Sequence, residues 1–275
     1  MTRVEQDRRT TVRSADGTRI GMTCTGDGPP LILVEPAGHH RGFSAFDGLV
    51  PLLRSNFTVV TYDRRGRGES TDTAPYAVER ELEDLAAVIE EAGGPAYVHG
   101  FSSGALLAIQ AVTHHLPVRR ITLLEPPLDD DTEAQAAFTS ELRIHLEQDG
   151  NEASLAFFLE SIMPPSMVDG MRGGPEWEAM AAVASTLVHD CVVSEATGTA
   201  TLAAVDVPTL VLDSQGSTDD LTGMAATVAR HLPSAGYQSL PGDWHGVDDA
   251  ALASALRSFH LGADAAALMD VQARQ

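Results

Sequence analysis

One serine in this sequence stands in a setting that could make it a nucleophile. In the segment Gly100-Phe101-Ser102-Ser103-Gly104, it follows a short apolar stretch and precedes a predicted helix. A sharp turn between a strand and a helix exposes a serine hydroxyl, and glycines on either side keep the neighbouring chain from colliding with it. The start of the helix would add N–H groups and a positive potential for a developing oxyanion. The motif therefore predicts that Ser102 attacks a carbonyl group.

The elements around this serine alternate between strands and helices. A predicted N-terminal hairpin and a series of continuous apolar segments, typical of strands buried on both faces, lie at residues 10–13, 19–24, 31–34, 58–62, 96–98, 121–124 and 209–212. Helical patterns occupy residues 78–92, 106–115 and 250–260. Strands that alternate with helices imply a mainly parallel sheet with helices on both faces. The predicted fold class is therefore α/β.

One long segment interrupts this alternation. Residues 129–205 are rich in helix formers, contain no convincing strand, and are broken by Pro164-Pro165 and by Gly173-Gly174-Pro175. We therefore expect a helical cap, inserted between two strands, over a core formed by residues 1–128 and 206–275. The residues after about Gly262 are expected to form a loosely held tail.

The charge of the chain argues against several classes of partner. Among 275 residues, 39 are acidic and 18 are basic, all of the basic ones are arginine, and the formal net charge is −21. Such a field repels the phosphates of nucleic acids and of anionic membranes. We therefore expect neither nucleic acid nor a membrane as a partner.

Cysteine usage and hydropathy favour a cytoplasmic protein. Cys24 and Cys191 lie far apart, without the spacing of a disulfide framework or of a thiolate metal site. The N-terminal segment lacks the apolar core of a secretion signal, and no apolar stretch approaches the roughly 18 residues of a membrane span. We therefore predict neither a bound metal nor secretion, and a homodimer is left open.

With Ser102 on its turn and this order of elements, the chain resembles the α/β-hydrolase family from about residue 10 to residue 260. The segment Asp63-Arg64-Arg65-Gly66-Arg67-Gly68-Glu69-Ser70 is similar to the family's DxRGxGxS turn before the nucleophile strand. The resemblance implies the α/β-hydrolase fold and a catalytic triad in the chain order serine, acid, histidine. It also implies that the base lies between the last strand and the last helix, where this chain has His245.

Two carboxylates are candidates for the acid. In most members of the family the acid follows the strand that here comprises residues 209–212, but the matching position holds Ser217. Asp213 lies at the end of that strand. Glu125 lies at the end of the preceding strand, a position that some members use, and the prolines after it would stiffen its backbone. We favour Glu125 over Asp213, and either would orient His245 and stabilise its imidazolium form.

The oxyanion of an acyl-transfer reaction requires two N–H donors. One is expected from Ser103, the residue after the nucleophile. The family provides the second after the first long strand, usually near a His-Gly pair, where this chain has Glu35-Pro36. Because proline has no N–H, the alignment leaves Ala37 as the second donor.

Several details narrow the resemblance to the fungal zearalenone lactonases. They are the doubled serine, Glu125 before two prolines, Leu240-Pro241-Gly242 shortly before His245, and Trp177 in the predicted cap. Those enzymes are small serine hydrolases with a Ser-Glu-His triad and a cap tryptophan over the substrate. The predicted substrate contacts in this chain are Trp177, Phe101, Pro127 and His39.

Together these residues predict a serine esterase or lactonase that needs no cofactor. His245 would deprotonate Ser102, and water would then hydrolyse the acyl-enzyme. The apolar and sulfur-rich predicted cap favours a neutral, bulky small-molecule ester or lactone as substrate. Three alternatives use the same scaffold: a lyase or cyclase in which Ser102 and His245 only move protons, a C–C hydrolase, and a ligand receptor without turnover.

Overall fold

The structure, a computed structural model, describes residues 7–262 of the chain. The tail predicted after Gly262 lies outside these residues. The main sheet has eight strands: β1 (Arg8–Arg13), β2 (Arg19–Thr25), β3 (Pro30–Val34), β4 (Thr58–Tyr62), β5 (Ala96–Phe101), β6 (Val118–Leu124), β7 (Thr209–Ser214) and β8 (Ala235–Leu240). Their spatial order is β1-β2-β4-β3-β5-β6-β7-β8.

Strand direction follows from the connections. β2 runs antiparallel to both of its neighbours, β1 and β4. The six strands β4, β3, β5, β6, β7 and β8 all run parallel to one another. Helices provide crossovers between parallel strands and flank the sheet: α1 (Val50–Leu53), α2 (Val78–Glu91), α3 (Ser103–Thr113), α10 (Asp219–His231) and α11 (Asp249–Leu261). A small hairpin of β9 (Gly242–Asp243) and β10 (Gly246–Val247) precedes α11. The predicted α/β class is confirmed.

Both faces of the sheet are covered by helices. On β3, Ile32 and Val34 pack into an apolar cluster shared with α2, α3 and α10, whereas Leu31 and Leu33 pack into a cluster shared with α11. Successive side chains of a strand point to opposite faces, so a strand covered on both sides must be apolar at every position. This burial is the physical reason for the continuous apolar segments in the sequence.

Between β6 and β7 the chain forms several helices in place of a single crossover helix. These inserted helices are α4 (Thr132–Gln148), α5 (Asn151–Ile162), α6 (Pro165–Met171), α7 (Pro175–Ala182), α8 (Leu187–Glu195) and α9 (Thr199–Leu202), with a 3₁₀ turn at Ala184–Thr186. The helices from α4 to α8 share an apolar cluster that includes Leu155, Trp177 and Leu187, and α8 also contacts α3, whereas Leu202 of α9 belongs to the cluster against the sheet. Within the described part of the chain, no helix combines the length and apolar character of a bilayer span.

Two buried histidines lie close together, His99 in the nucleophile strand β5 and His260 in α11. Thr122 Oγ1 lies 2.9 Å from His99 Nδ1 and 3.4 Å from His260 Nε2. Burial lowers the pKa of His99 to about 3 and that of His260 well below the ordinary value. Both rings are therefore neutral in the folded protein, whereas in the unfolded chain they take up protons below pH 6.5. The free energy of unfolding therefore decreases as the pH falls below 6.5.

Replacing His99 with asparagine should make the free energy of unfolding less sensitive to acid. As the pH falls below 6.5, the unfolded wild-type chain gains a proton at this position and the folded chain does not, which costs about 1.4 kcal/mol per pH unit. Between about pH 7.5 and about pH 5, His99→Asn is expected to lose about 2 kcal/mol less than the wild type. Urea unfolding at the two pH values measures the difference.

His115→Asn provides the control for this experiment. His115 is exposed and has a φ of 58°, a conformation that asparagine tolerates. Its loss of stability between the two pH values should match that of the wild type. Equal losses in all three proteins would contradict a buried neutral imidazole at position 99.

Candidate active site

Ser102 lies on a sharp turn between β5 and α3 in a strained backbone conformation. Its φ of 54° and ψ of −124° lie outside the regions that residues with side chains favour. Its N–H donates to Leu124 O at 2.9 Å. The flanking glycines permit close packing, because a Cβ on Gly100 would lie 2.3 Å from Gly104 O and a Cβ on Gly104 would lie 2.3 Å from Val34 O. The glycines of the motif are therefore required by chain packing around the serine.

His245 is hydrogen-bonded to the buried carboxylate of Glu125. His245 Nδ1 lies 2.6 Å from Glu125 Oε2, and the Glu125 side chain is completely buried. Its other oxygen, Oε1, accepts the Ser214 N–H at 2.9 Å. Burial by itself would raise the pKa of Glu125, but hydrogen bonds from His245, Ser217 and Ser214 lower it below the ordinary value. The carboxylate therefore stays charged and holds a proton on Nδ1, which leaves Nε2 as the basic atom of the ring.

Asp213, the other candidate acid, has a different partner. It is buried in β7 and accepts the hydroxyl of Tyr237 on the adjacent strand β8. Burial and this hydrogen bond to Asp213 raise the pKa of Tyr237 to about 12. Of the two carboxylates that the sequence left open, Glu125 is the one in contact with His245.

Two further residues position the imidazole. Ser217 Oγ accepts the backbone N–H of His245 at 2.9 Å. The Phe101 ring lies against the imidazole, with 4.9 Å between ring centroids. Phe101 is absent from the wall of the cavity described below, and its contact with substrate stays a prediction. The role of Ser217 was missed from the sequence, although its place at the usual acid position was a signal that it lies close to the base.

Backbone strain is concentrated at this site. Among residues 7–262, the non-glycine residues with positive φ are Ser102, His115, Glu125 and His245. Three of them are the predicted nucleophile, acid and base. Positive φ is costly for such residues and persists where the surrounding structure enforces it, as it often does at active sites. The strain therefore points to the same three positions as the sequence motifs.

Ser102 and His245 line one cavity of about 620 Å³. Its wall includes a large apolar set: Phe138, Phe158, Ile162, Leu221, Met224 and Trp244. The charged residues of the wall are Asp129, Asp190 and Asp220, and within residues 7–262 no arginine contributes to it. The cavity therefore suits an apolar ligand without a negative charge.

The nucleophile and the base lie in the same wall. In the part of the chain that the structure describes, no direct hydrogen bond joins the Ser102 hydroxyl to the His245 ring. Contacts of this kind are often long without substrate and tighten when it binds. The cavity is where the hydroxyl, the imidazole and a carbonyl group can meet.

Both predicted oxyanion donors belong to residues of the same wall. Ala37 follows β3, and Ser103 is the first residue of α3. The preceding Glu35, which replaces the histidine usual in the family, is completely buried and accepts the Ser44 hydroxyl and the Ala45 N–H, the latter at 3.1 Å. Burial raises its pKa to about 7. The hydrogen bonds from Ser44 and Ala45 to Glu35 therefore hold the loop after β3 in place.

The predicted substrate contacts lie in different places. Pro127 lines the cavity, as expected. Trp177 does not line it, because its ring is buried in the apolar cluster of the inserted helices, 5.0 Å from the Arg172 guanidinium. His39 is also outside the lining and stacks on Phe43 at 4.8 Å. The tryptophan in the wall is Trp244, and its position directly before His245 was the sequence signal that could have identified it.

Comparisons with known proteins agree with this fold. A family model described as "Alpha/beta hydrolase family" matches residues 31–257. The structure of an alpha/beta hydrolase from Sphaerobacter thermophilus is 40% identical, has a TM-score of 0.84, and is matched over 91% of this chain and 99% of that one. An esterase from Rhodococcus sp. ECU1013 is 18% identical, with a TM-score of 0.67 over 92% of this chain and 98% of that one. The latter likeness concerns the fold alone.

Curated relatives match only in part. A "Probable oxidoreductase EphD" from Mycobacterium tuberculosis is 37% identical over 102 residues, which are 34% of this chain and 17% of that protein. The chain thus spans about a sixth of the length of this relative, whose name describes that longer protein.

The short contact between His245 and Glu125 predicts a strongly deshielded proton on Nδ1. In Glu125→Gln this resonance should disappear from the downfield edge of the proton NMR spectrum, because a neutral amide is a weaker acceptor than a carboxylate. Asp213→Asn, which alters the neighbouring buried carboxylate, should leave the resonance in place. The reverse pattern would contradict the pairing seen in the structure.

Proposed function

The chain belongs to the alpha/beta hydrolase family, and from this membership we propose that it is a serine hydrolase that cleaves a neutral, largely apolar carboxylic ester or lactone. The observation that carries the proposal is the buried Glu125–His245 pair beside a strained serine in one cavity. This is the set of groups that acyl transfer to water requires.

The proposed reaction proceeds through an acyl-enzyme. His245 Nε2 takes the proton of the Ser102 hydroxyl as its oxygen attacks the carbonyl carbon. The N–H groups of Ala37 and Ser103 stabilise the tetrahedral oxyanion. The imidazolium then protonates the leaving alcohol, which remains attached to the acyl group when the substrate is a lactone. In the second half, His245 activates water against the acyl-enzyme.

Glu125 acts through His245 and does not take the proton itself. Its carboxylate fixes the proton on Nδ1 and stabilises the imidazolium formed in each half-reaction. The Ser214 N–H, bonded to Oε1 at 2.9 Å, keeps the carboxylate charged and correctly oriented. A change of the acid that preserves its shape but not its charge is therefore expected to impair the base.

The inserted helices act as a cap that shapes the substrate pocket and excludes water. They contribute Phe138 from α4, Phe158 from α5 and Cys191 from α8 to the cavity wall. Removing water strengthens the electrostatic interactions of the oxyanion with its donors. The substrate class rests on this wall and not on Trp177, which was one of several residues that suggested a likeness to zearalenone lactonases.

A fluorophosphonate probe should label Ser102 and no other residue, because it reacts with serines activated by a neighbouring base. Peptide mapping after labelling identifies the modified side chain. Ser102→Ala should abolish labelling and lower kcat for p-nitrophenyl butyrate by a factor on the order of 10⁴ or more.

Ser55→Ala is the matched control, since Ser55 is exposed and does not line the cavity. It should retain full labelling and turnover. Labelling at another serine, or a folded wild type that neither reacts with the probe nor hydrolyses any of a panel of esters and lactones, would refute the proposed function.

The charge of the cavity wall predicts discrimination against anionic substrates. The mono-p-nitrophenyl ester of adipic acid should have a kcat/KM about 10² lower than p-nitrophenyl hexanoate, because an unpaired carboxylate loses several kcal/mol on entering a pocket without cations. The mixed methyl p-nitrophenyl adipate is the control, since it restores neutrality at the same length. Comparable turnover of the free acid and its methyl ester would show that the wall does not select by charge.

A further inference from the structure

A buried arginine lies behind the peptide bond that contains one oxyanion donor. Arg67 is 1% exposed, and its Nη1 donates to Pro36 O at 2.8 Å and to His39 O at 3.3 Å. Pro36 O also accepts the His39 N–H at 3.4 Å. The carbonyl of Pro36 and the N–H of Ala37 belong to the same planar peptide unit, so a group that binds one also controls the other.

The geometry of that unit gives the arginine a specific effect. In a trans peptide the C=O and N–H bonds point in opposite directions. A guanidinium held on the Pro36 carbonyl therefore aims the Ala37 N–H to the opposite side, and Ala37 lines the cavity there. A charged donor on the carbonyl also polarises the peptide and strengthens its N–H as a donor.

The same arginine is connected to the second oxyanion donor through Asp190. Arg67 Nη2 donates to Asp190 Oδ2 at 2.5 Å, and the Ser103 hydroxyl donates to Asp190 Oδ1 at 2.7 Å. Arg64 Nη1 contacts the same oxygen at 2.5 Å. Although burial would raise the pKa of Asp190, the charges of Arg64 and Arg67 lower it to about 2. Asp190 is thus a permanently charged acceptor that fixes the Ser103 side chain.

From these contacts we propose that Arg67 and Asp190 are positioning residues that aim the N–H groups of Ala37 and Ser103 at the reacting carbonyl, an inference that rests on the proposed function. Asp190 lies on α8, and Arg67 Nε also donates to Thr186 Oγ1 at 3.0 Å. The inserted helices therefore complete the oxyanion hole from behind, in addition to forming the cavity wall.

Arg65 offers a matched comparison within the same turn. It is also completely buried and paired with a carboxylate, because its guanidinium binds Asp84 at 2.8 Å and Asp16 at 3.1 Å. Its guanidinium also donates to the carbonyl of Arg80 at 2.9 Å, and among residues 7–262 it forms no hydrogen bond with either peptide of the oxyanion hole. A substitution at position 65 disturbs a buried ion pair without disturbing the two donors.

The test compares Arg67→Lys, Ser103→Ala and Arg65→Lys with the wild type. Lysine keeps the charge that compensates Asp190, but its compact ammonium cannot bridge Pro36 O, Thr186 and Asp190 together. The readouts are kcat and KM for p-nitrophenyl butyrate and the inhibition constant of an alkyl trifluoromethyl ketone. Ser102 adds to this ketone to form a C–O bond, the carbonyl electron pair becomes the oxyanion, and the serine proton moves to His245. All values are normalised to the sites that fluorophosphonate titrates.

Arg67→Lys should lower kcat on the order of 10²-fold, with KM changed by less than about threefold, and should weaken ketone binding by about the same factor as kcat. Ser103→Ala removes the hydroxyl that binds Asp190 but keeps the backbone N–H. We therefore expect kcat to fall and ketone binding to weaken by about tenfold each. Arg65→Lys should leave kcat and ketone binding within about twofold per titrated site.

Several results would overturn the proposal. They are unchanged kcat and ketone binding in folded Arg67→Lys, a loss of kcat without weaker ketone binding, and losses in Arg65→Lys equal to those in Arg67→Lys. If Arg67→Lys does not fold, Ser103→Ala decides by the same criteria. If the wild type and the variants bind the ketone and hydrolyse the ester equally well, only this inference is refuted. If the wild type neither binds the ketone nor hydrolyses the ester, the proposed function is refuted as well.

Discussion

A completely buried carboxylate can remain charged only if hydrogen bonds or opposite charges replace the water that it has lost, and Glu125 meets this condition at the ends of neighbouring strands. Its partners are Ser214 from β7 and His245 from the turn between β9 and β10, which follow β8, while Ser102 directly follows β5. Because β5, β6, β7 and β8 are adjacent and parallel, their carboxyl ends meet at one edge of the sheet. The site therefore depends on strand order, and strand order depends on the helices that cross between the strands.

Buried positive charge in this protein is carried by arginine. The turn after β4 buries three arginines. Arg64 pairs with Glu81 and Asp190. Arg65 pairs with Asp84, and Arg67 pairs with Asp190. A planar guanidinium can bind a carboxylate and a backbone carbonyl at once, which the point charge of lysine cannot do. In a chain whose formal net charge is −21, these arginines locally compensate the acids that would otherwise be too costly to bury.

The inserted helices give the shared scaffold its individual character. The sheet and its flanking helices occur in hydrolases of diverse specificity, so the scaffold alone does not define a substrate. Here the insertion supplies much of the apolar wall and also places Asp190 against Ser103, directly beside the nucleophile. Pocket shape and the geometry of the catalytic turn are consequently linked through one packed unit, since a displacement of α8 would move both.

The sequence by itself determined the turn at Ser102 and the fold class, because a glycine-flanked turn and alternating strands and helices are local patterns that survive without knowledge of distant contacts. The choice of His245 followed from the chain order of the family that the sequence resembles. Only the tertiary structure distinguished Glu125 from Asp213, since both end neighbouring strands and the difference lies in which side chain reaches the imidazole and which reaches Tyr237. The same holds for Trp177, which packs inside the inserted helices while Trp244 lines the cavity. When a helix has apolar residues on several sides, its sequence does not show which side faces a pocket, because packing against the other helices decides this.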